Sequence, residues 1–473
     1  MFDPVIAPSG TLLGLLQRGR GDGTLHALAA PRAEALAALD HCVLNDPRHD
    51  WQVENRSLYY ARLYLDLHGG LDAIEHHLFR AEDRLDTEEV RTGLSLAVLG
   101  HLASYGRRDA LDLLRRYAET GSNWAWALDE LALRDDDTGL RALAGPVLGR
   151  FPRTPEGDAE LAAAVRDAFE PRPWRLWADD PRAEIGARIR AAGEQGSFDR
   201  WQRQLRPSGP RPGWSVAAVF DWAQEGLERG GELHLPAARC LTAVAGPGDR
   251  PTILEAARGG PDGARCAALH YLAEARDPDV LDLIEAAASD PSRTVADAAV
   301  AAFERMCGAD AVDRARGWIH RPDALGASAA GVLACRGGTR DTDLVLGALR
   351  ETVRAEGPDA QRLWTLVDGA GRLGIVCAAP VLRHVYRETA SSQLRGRAAK
   401  ALAATDPSYA TGFAVECLWD CEETTREIAA LHAETGDARV AERLRRLAAD
   451  PAEEAEVQTA VRSRIGGADA ATR

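Results

Sequence analysis

The sequence predicts an all-α fold, an α-solenoid of stacked antiparallel helix pairs in two segments separated by an irregular Pro/Trp-rich region. Three observations carry this. Between residues 264 and 464 a large apolar residue recurs at Leu272, Phe303, Leu333, Leu373, Leu402, Leu431 and Val461, in steps of 31, 30, 40, 29, 29 and 30 residues. In five of these helices the residue four places earlier is small: Ala268, Ala299, Ala329, Gly369 and Ala398. Positions i and i+4 share a helix face, so small and large side chains alternate along one seam. Turn residues then follow, at Asp277-Pro278, Gly308-Ala309-Asp310, Gly337-Gly338, Gly374, Asp406-Pro407 and Gly436-Asp437, where they end one helix and cap the next. A lone hairpin of this kind cannot bury its apolar face, so neighbours must stack. Leu402→Ala is expected to open a cavity in that stack and cost about 2–5 kcal/mol.

Taken in order, residues 1–31 hold Pro4, Pro8 and five glycines and read as irregular, with residues 11–17 the one helical stretch. Residues 32–151 form a first helical-repeat segment. Helices are expected from Pro31 to about residue 44, and over 51–67, 71–79, 90–104, 109–119, 124–133 and 138–148. Asn45-Asp46-Pro47, Gly69-Gly70, Gly106 and Asp135-Asp136-Asp137 break them. The pattern fails over residues 152–231, where prolines crowd and five of eleven tryptophans fall: Trp174, Trp177, Trp201, Trp214 and Trp222. Short helices fit 158–169, 182–192 and 215–228 inside a hinge or insertion, and the rings serve either as packing glue or as a binding platform. Repeats resume over 232–466, with a disordered tail at 467–473. The 40-residue step from Leu333 to Leu373 contains residues 350–357 and implies a lengthened helix or loop.

Composition narrows the function. Hydrophobic residues make up 45% and charged residues 27%, as in folded water-exposed proteins, and no alternating strand pattern occurs. The net charge of −15 disfavours nonspecific nucleic-acid binding, which depends on cationic side chains neutralising phosphates. Lys400 is the one lysine among 57 basic residues, a skew that points to GC-rich bacterial coding. Eight scattered cysteines with no C-x-x-C indicate a reducing cytoplasm. The start lacks the basic-then-apolar pattern of a signal peptide, and no apolar run approaches membrane-spanning length.

The stretch Leu394-Arg395-Gly396-Arg397-Ala398-Ala399-Lys400-Ala401-Leu402 with Asp406-Pro407 resembles the HEAT-repeat family. So does Ile428-Ala429-Ala430-Leu431-His432-Ala433-Glu434-Thr435-Gly436-Asp437. The resemblance covers residues 233–464, and more weakly 56–151. It implies second helices lining an inner curve. The repeat ladder, the acidic balance and the missing catalytic constellation lead to the expectation of a non-catalytic scaffold holding a protein or peptide in a concave groove. One local basic cluster, Arg383, Arg387, Arg395, Arg397 and Lys400 against Glu388 alone, nets +4 over residues 383–400 and supplies candidate binding residues for carboxylate or phosphate.

Two rivals remain. Trp364-Thr365-Leu366-Val367-Asp368 is similar to a Trp-x-x-Val-Asp signature of HEAT-like alkylpurine DNA glycosylases. That similarity implies Trp364 packing on a lesion and Asp368 stabilising a developing oxocarbenium ion. Some HEAT-like bacterial proteins attach cofactors or chromophores, which implies a lyase or chaperone. Chemistry is otherwise thin. His68, Glu75, His76 and His77 match no zinc spacing, so no metal is expected. None of the twelve histidines precedes Glu, against the pattern of HEAT-like iron hydroxylases. No P-loop, dinucleotide fingerprint or nucleophile elbow occurs, so no cofactor is expected and the chain reads more as a scaffold than an enzyme.

Overall fold

A computed structural model shows an all-helical protein, with 28 α-helices, a helix content of 74% and no strand among the described residues. The structure describes residues 6–48, 54–84, 89–195 and 213–471. Of the expected elements, Trp51 and Trp201 lie outside them. The chain forms two compact units: residues 1–205 with 386–399 and 407–473 (unit 1), and residues 206–385 with 400–406 (unit 2).

Unit 1 begins with α1 (Leu12–Gln17), α2 (Gly21–Ala29), α3 (Arg32–Leu44), α4 (Arg56–Asp66), α5 (Asp72–Leu78) and α6 (Glu89–Ser104). It continues with α7 (Arg108–Thr120), α8 (Trp124–Arg134), α9 (Asp137–Leu148), α10 (Pro155–Asp167), α11 (Arg172–Ala178) and α12 (Ala183–Gln195). Residues 1–31 thus contain a helix the composition hid. Gly21 and Gly23 serve close packing, since a Cβ at Gly21 would collide with the Glu416 carbonyl and one at Gly23 would crowd Leu15. Within the expected insertion of 152–231, the described residues up to 195 are mostly helical. There α10 packs on α12 and α11 on both α9 and α12, so pairing continues to Gln195. Pro155 and Pro173 sit in first helical turns, where a missing N–H costs nothing. Trp174 and Trp177 are buried and meet edge-to-face at 5.0 Å, and the Trp177 indole donates to the Leu140 carbonyl at 2.8 Å. Both rings serve packing.

Unit 2 carries the clearest repeat, in α13 (Val216–Glu228), α14 (His234–Val244), α15 (Arg250–Gly259), α16 (Asp262–Glu274) and α17 (Val280–Ala287). It goes on through α18 (Arg293–Arg305), α19 (Ala309–Trp318), α20 (Ala324–Arg336), α21 (Thr342–Glu356) and α22 (Leu363–Arg372). Helices α16, α18, α20 and α22 pack in series, and α15, α17, α19 and α21 each lie against a member of that row. The small seam residues have a steric reason. A Cβ on Gly369 would stand 2.5 Å from the Ala334 Cβ, so α22 rests backbone-close on α20. The 40-residue step is a lengthened second helix: α21 runs 15 residues and exits through Gly357 at φ 88°, a left-handed conformation that suits glycine.

The remaining helices are α23 (Ala379–Glu388), α24 (Ser392–Thr405), α25 (Phe413–Cys417), α26 (Glu423–His432), α27 (Ala438–Ala449) and α28 (Ala455–Ala471). The last occupies most of the expected tail. Seam residues Leu272, Phe303, Leu333, Leu402 and Val461 are buried as expected. Leu431 is not: it is 39% exposed, and Ala429, Ala430 and Ala433 take the inward positions. Leu373 is half-buried at the end of α22, with Ile375 buried in its place.

Arginines tie successive hairpins together. A second-helix arginine reaches the aspartate of the next hairpin turn in Arg115–Asp135 (2.6 Å), Arg250–Asp277 (2.6 Å), Arg316–Asp341 (2.7 Å) and Arg383–Asp406 (2.6 Å). Asp341 also accepts from the Gly338 amide at 2.8 Å, so one carboxylate serves both turn and neighbour. The arginine and the amide hold its carboxyl below the usual range.

Within unit 1 the first helices interlock with the last. The Arg18 and Arg20 side chains donate to the Glu388 and Arg387 carbonyls at 3.3 and 2.7 Å, and the Arg48 side chain to the Ala390 carbonyl at 3.2 Å. The Cys421 amide donates to the Gly19 carbonyl at 2.8 Å. Arg62 bridges Asp450 and Glu453 at 2.7 and 3.1 Å. The last helices of the expected block 232–466 fall in unit 1, where their polar groups meet residues 18–62.

Candidate functional site

The N-terminal half of α8 builds the candidate site. Ala127, Leu128, Leu131 and Ala132 form its buried face. A second face then carries Trp126, Asp129, Glu130 and Leu133 at spacings of three, four and seven residues, a line of neighbours on one side of the helix. Leu133 is 61% exposed.

Trp126, Asp129 and Glu130 of that face look into a cavity of about 900 Å³ lying wholly within unit 1. The start of α4 contributes Glu54, Asn55 and Ser57; α6 contributes Ala97 and His101; α8 contributes residues 124–126 and 128–130. Asp167 and Phe169 at the end of α10, Trp174 of α11, Gln393 of α24, Glu422 and Glu423 at the start of α26, and Glu454 complete the wall. Seven carboxylates line it and no lysine or arginine does. Phe169 is 62% exposed at its edge.

The walls are held in place. The Glu170 amide donates to Asp129 at 2.9 Å, which fixes the chain beside Phe169. Trp124 meets Phe151 at 5.7 Å and Trp174 at 6.3 Å, both edge-to-face, and the Arg150 guanidinium lies 5.5 Å over its ring. Glu130 pairs with Arg134 at 2.7 Å, and its carboxylate occupies the space a Cβ on Gly100 would need. Glu54 pairs with Arg56 at 3.2 Å and accepts from the Ser392 amide at 2.7 Å. Glu422 accepts from the Ser392 hydroxyl at 3.0 Å. Glu423 and Glu454 have no ion pair among the described residues.

Burial sets the charge. It pushes the Glu130 carboxyl up to about 7 against the pull of Arg134. It pushes Glu422 to about 7 as well, helped by neighbouring Glu423. It pulls His101 down to about 4, with Arg134 and Arg62 adding to the effect, so His101 is neutral at pH 7. The cavity therefore gains negative charge as pH rises through neutrality and holds no opposing cation in its lining.

The residues of the basic cluster expected from the sequence stand in different surroundings. Arg395 is fully buried and grips Asp420 at 2.8 and 3.0 Å. Arg383 is spent on Asp406, and the Arg387 guanidinium lies 5.1 Å over the Phe413 ring. Arg397 is half-buried, and Lys400 is exposed. On α22, Trp364 is half-buried and Asp368 exposed, while Leu363, Leu366, Val367 and Ala370 take the core face. His77 is buried, with a ring nitrogen 2.9 Å from the Arg91 carbonyl. Among the described residues no group of three or more His, Cys, Asp or Glu is arranged to hold a metal ion. Nor, among them, is any helix long and apolar enough to cross a membrane.

Sequence reasoning passed over the cavity because its groups come from eight separated stretches. One signal was available: Trp126, Asp129, Glu130 and Leu133 share a side of α8 after the core face is already accounted for. The fold defines the class, an all-α protein of repeat-like architecture. No protein-family model matches the chain, and no curated protein matches it.

Proposed function

We propose that this chain is a non-catalytic, HEAT-like helical-repeat scaffold that holds a segment of a protein partner, and that the segment docks in the unit 1 cavity. The cavity lining is the observation that carries this: seven carboxylates, no lysine or arginine, and the rings of Trp124, Trp126 and Phe169. A volume of about 900 Å³ suits several side chains of a peptide. Acidic lining selects a segment of net positive charge and speeds its encounter at low salt. The stacked helix pairs and the seam of small residues support the helical-repeat part of this reading. The arginine-rich composition and the eight free thiols favour a bacterial cytoplasm as the setting.

A photo-crosslinking residue in place of Phe169, used in the native host, tests the docking site. Mass spectrometry is expected to map the products to basic segments of a small set of proteins. Products that are net acidic, or as abundant from a crosslinker placed at exposed Val376 as from one at Phe169, would reject the cavity as the site.

A further inference from the structure

We propose that the unit 1 cavity recognises the side chain of an arginine in the bound segment, with Trp126 supplying ring surface and Glu423 and Glu454 the countercharge. This rests on the peptide-scaffold reading and deepens it.

Charge comes first. A cation entering this cavity meets carboxylates on several walls and no lysine or arginine among the lining residues. Glu423 is half-buried and Glu454 exposed, and neither is committed to an ion pair among the described residues, so both can turn to a ligand. Ring surface comes second. Trp126 lines the cavity half-buried, one helical turn from Glu130. The protein already packs guanidinium groups on indole: Arg150 over Trp124 at 5.5 Å, Arg314 over Trp318 at 5.3 Å and Arg443 over Trp419 at 5.5 Å. A guanidinium is flat, weakly hydrated and forked, so it stacks on a ring while donating two hydrogen bonds to one carboxylate. A lysine ammonium is more strongly hydrated and offers no flat face. The rings beside the carboxylates suit a flat organic cation.

The test uses the full chain and four blocked pentapeptides, Gly-Gly-X-Gly-Gly, with X arginine, citrulline, lysine or norleucine. Citrulline keeps the shape and loses the charge. Binding is read by calorimetry and by tryptophan fluorescence. Arginine is expected to bind about tenfold or more tightly than citrulline, equivalent to about 1.4 kcal/mol. Glu423→Gln with Glu454→Gln is expected to remove most of that preference and leave citrulline unchanged. Thermal melting checks that this variant, altered only at half-buried and exposed positions, stays folded. Trp126→Leu is expected to narrow the gap between arginine and lysine. Equal binding of arginine and citrulline, lysine binding as tightly as arginine, or no binding at millimolar peptide overturns the proposal. Crosslinks from position 169 that persist alongside equal peptide affinities would leave the scaffold reading standing and remove the arginine anchor alone.

Discussion

Glu422 shows how one buried carboxyl couples ligand charge to stability. Burial raises it to about 7 from an ordinary 4.5, and Glu423 adds to this, while the Ser392 hydroxyl and Arg395 pull it back. An acid whose pKa is raised on folding binds protons more tightly in the folded state. Its cost to stability is absent below about pH 4.5, grows between 4.5 and 7, and is complete above about 7. Glu422→Gln is therefore expected to raise the melting temperature at pH 8 by about 2–4 °C and to leave it unchanged at pH 4.5. A shift of equal size at both pH values would show that the glutamate's charge is not the cause. Glu130 titrates in the same window, so affinity for a cationic peptide is expected to rise between pH 6 and pH 8. Calorimetry at the two pH values checks the direction, and an affinity that falls would contradict the charge reading of the cavity.

At the scale of the element, Arg395 explains why a charge cluster in a sequence misleads. Five basic residues within eighteen positions look like a surface patch. Helix α24, however, turns Arg395 inward, onto an aspartate 25 residues further along, and both side chains are fully buried. Arg426 repeats the arrangement with Glu453 at 2.6 Å. A buried charge that loses its partner is expensive, so Arg395→Met is expected to destabilise by about 3–5 kcal/mol by stranding Asp420. Arg395→Met with Asp420→Leu is expected to recover much of that loss, read by urea denaturation. A cost below about 1 kcal/mol for the single change, the level of a surface pair, would restore Arg395 as a candidate contact. Helix α8 is the complementary case. Its core face reads from the sequence as an ordinary amphipathic helix, and its second, acidic-aromatic face looks like solvent-facing surface until the neighbouring helices arrive.

At the scale of the molecule, unit 1 joins the beginning of the chain to its end. Tyr59 and Tyr60 donate to the Arg20 and Leu16 carbonyls at 2.9 and 3.0 Å, the Arg48 side chain to the Ala390 carbonyl, and Arg62 to Asp450 and Glu453. Arg18 and Arg20 also reach the Glu388 and Arg387 carbonyls, Gly19 accepts from the Cys421 amide, and α2 packs on α25, so the segment of α1 and α2 helps to complete the C-terminal helices. A chain starting at Arg32 is expected to exchange amide protons faster in α25, α26 and α28, not only in α3. Hydrogen exchange with mass spectrometry checks this, and unchanged protection of those helices would mean that the N-terminal contacts are dispensable.

The period of about thirty residues, the small-then-large seam and the turn residues were sufficient to read helix, hairpin and stack, because these follow from local spacing and from one hairpin's inability to bury itself. Ala268, Ala299, Ala329 and Ala398 are buried where the seam placed them, and Gly369 is small because Ala334 stands against it. Leu431 broke the pattern because Ala430 and Ala433 can serve the same interior with smaller volume. What only tertiary structure decided was which charges meet. Cys421 docking on Gly19, and carboxylates from α4, α8 and α26 facing one cavity, join residues far apart in the chain, and no local period encodes contacts across such distances.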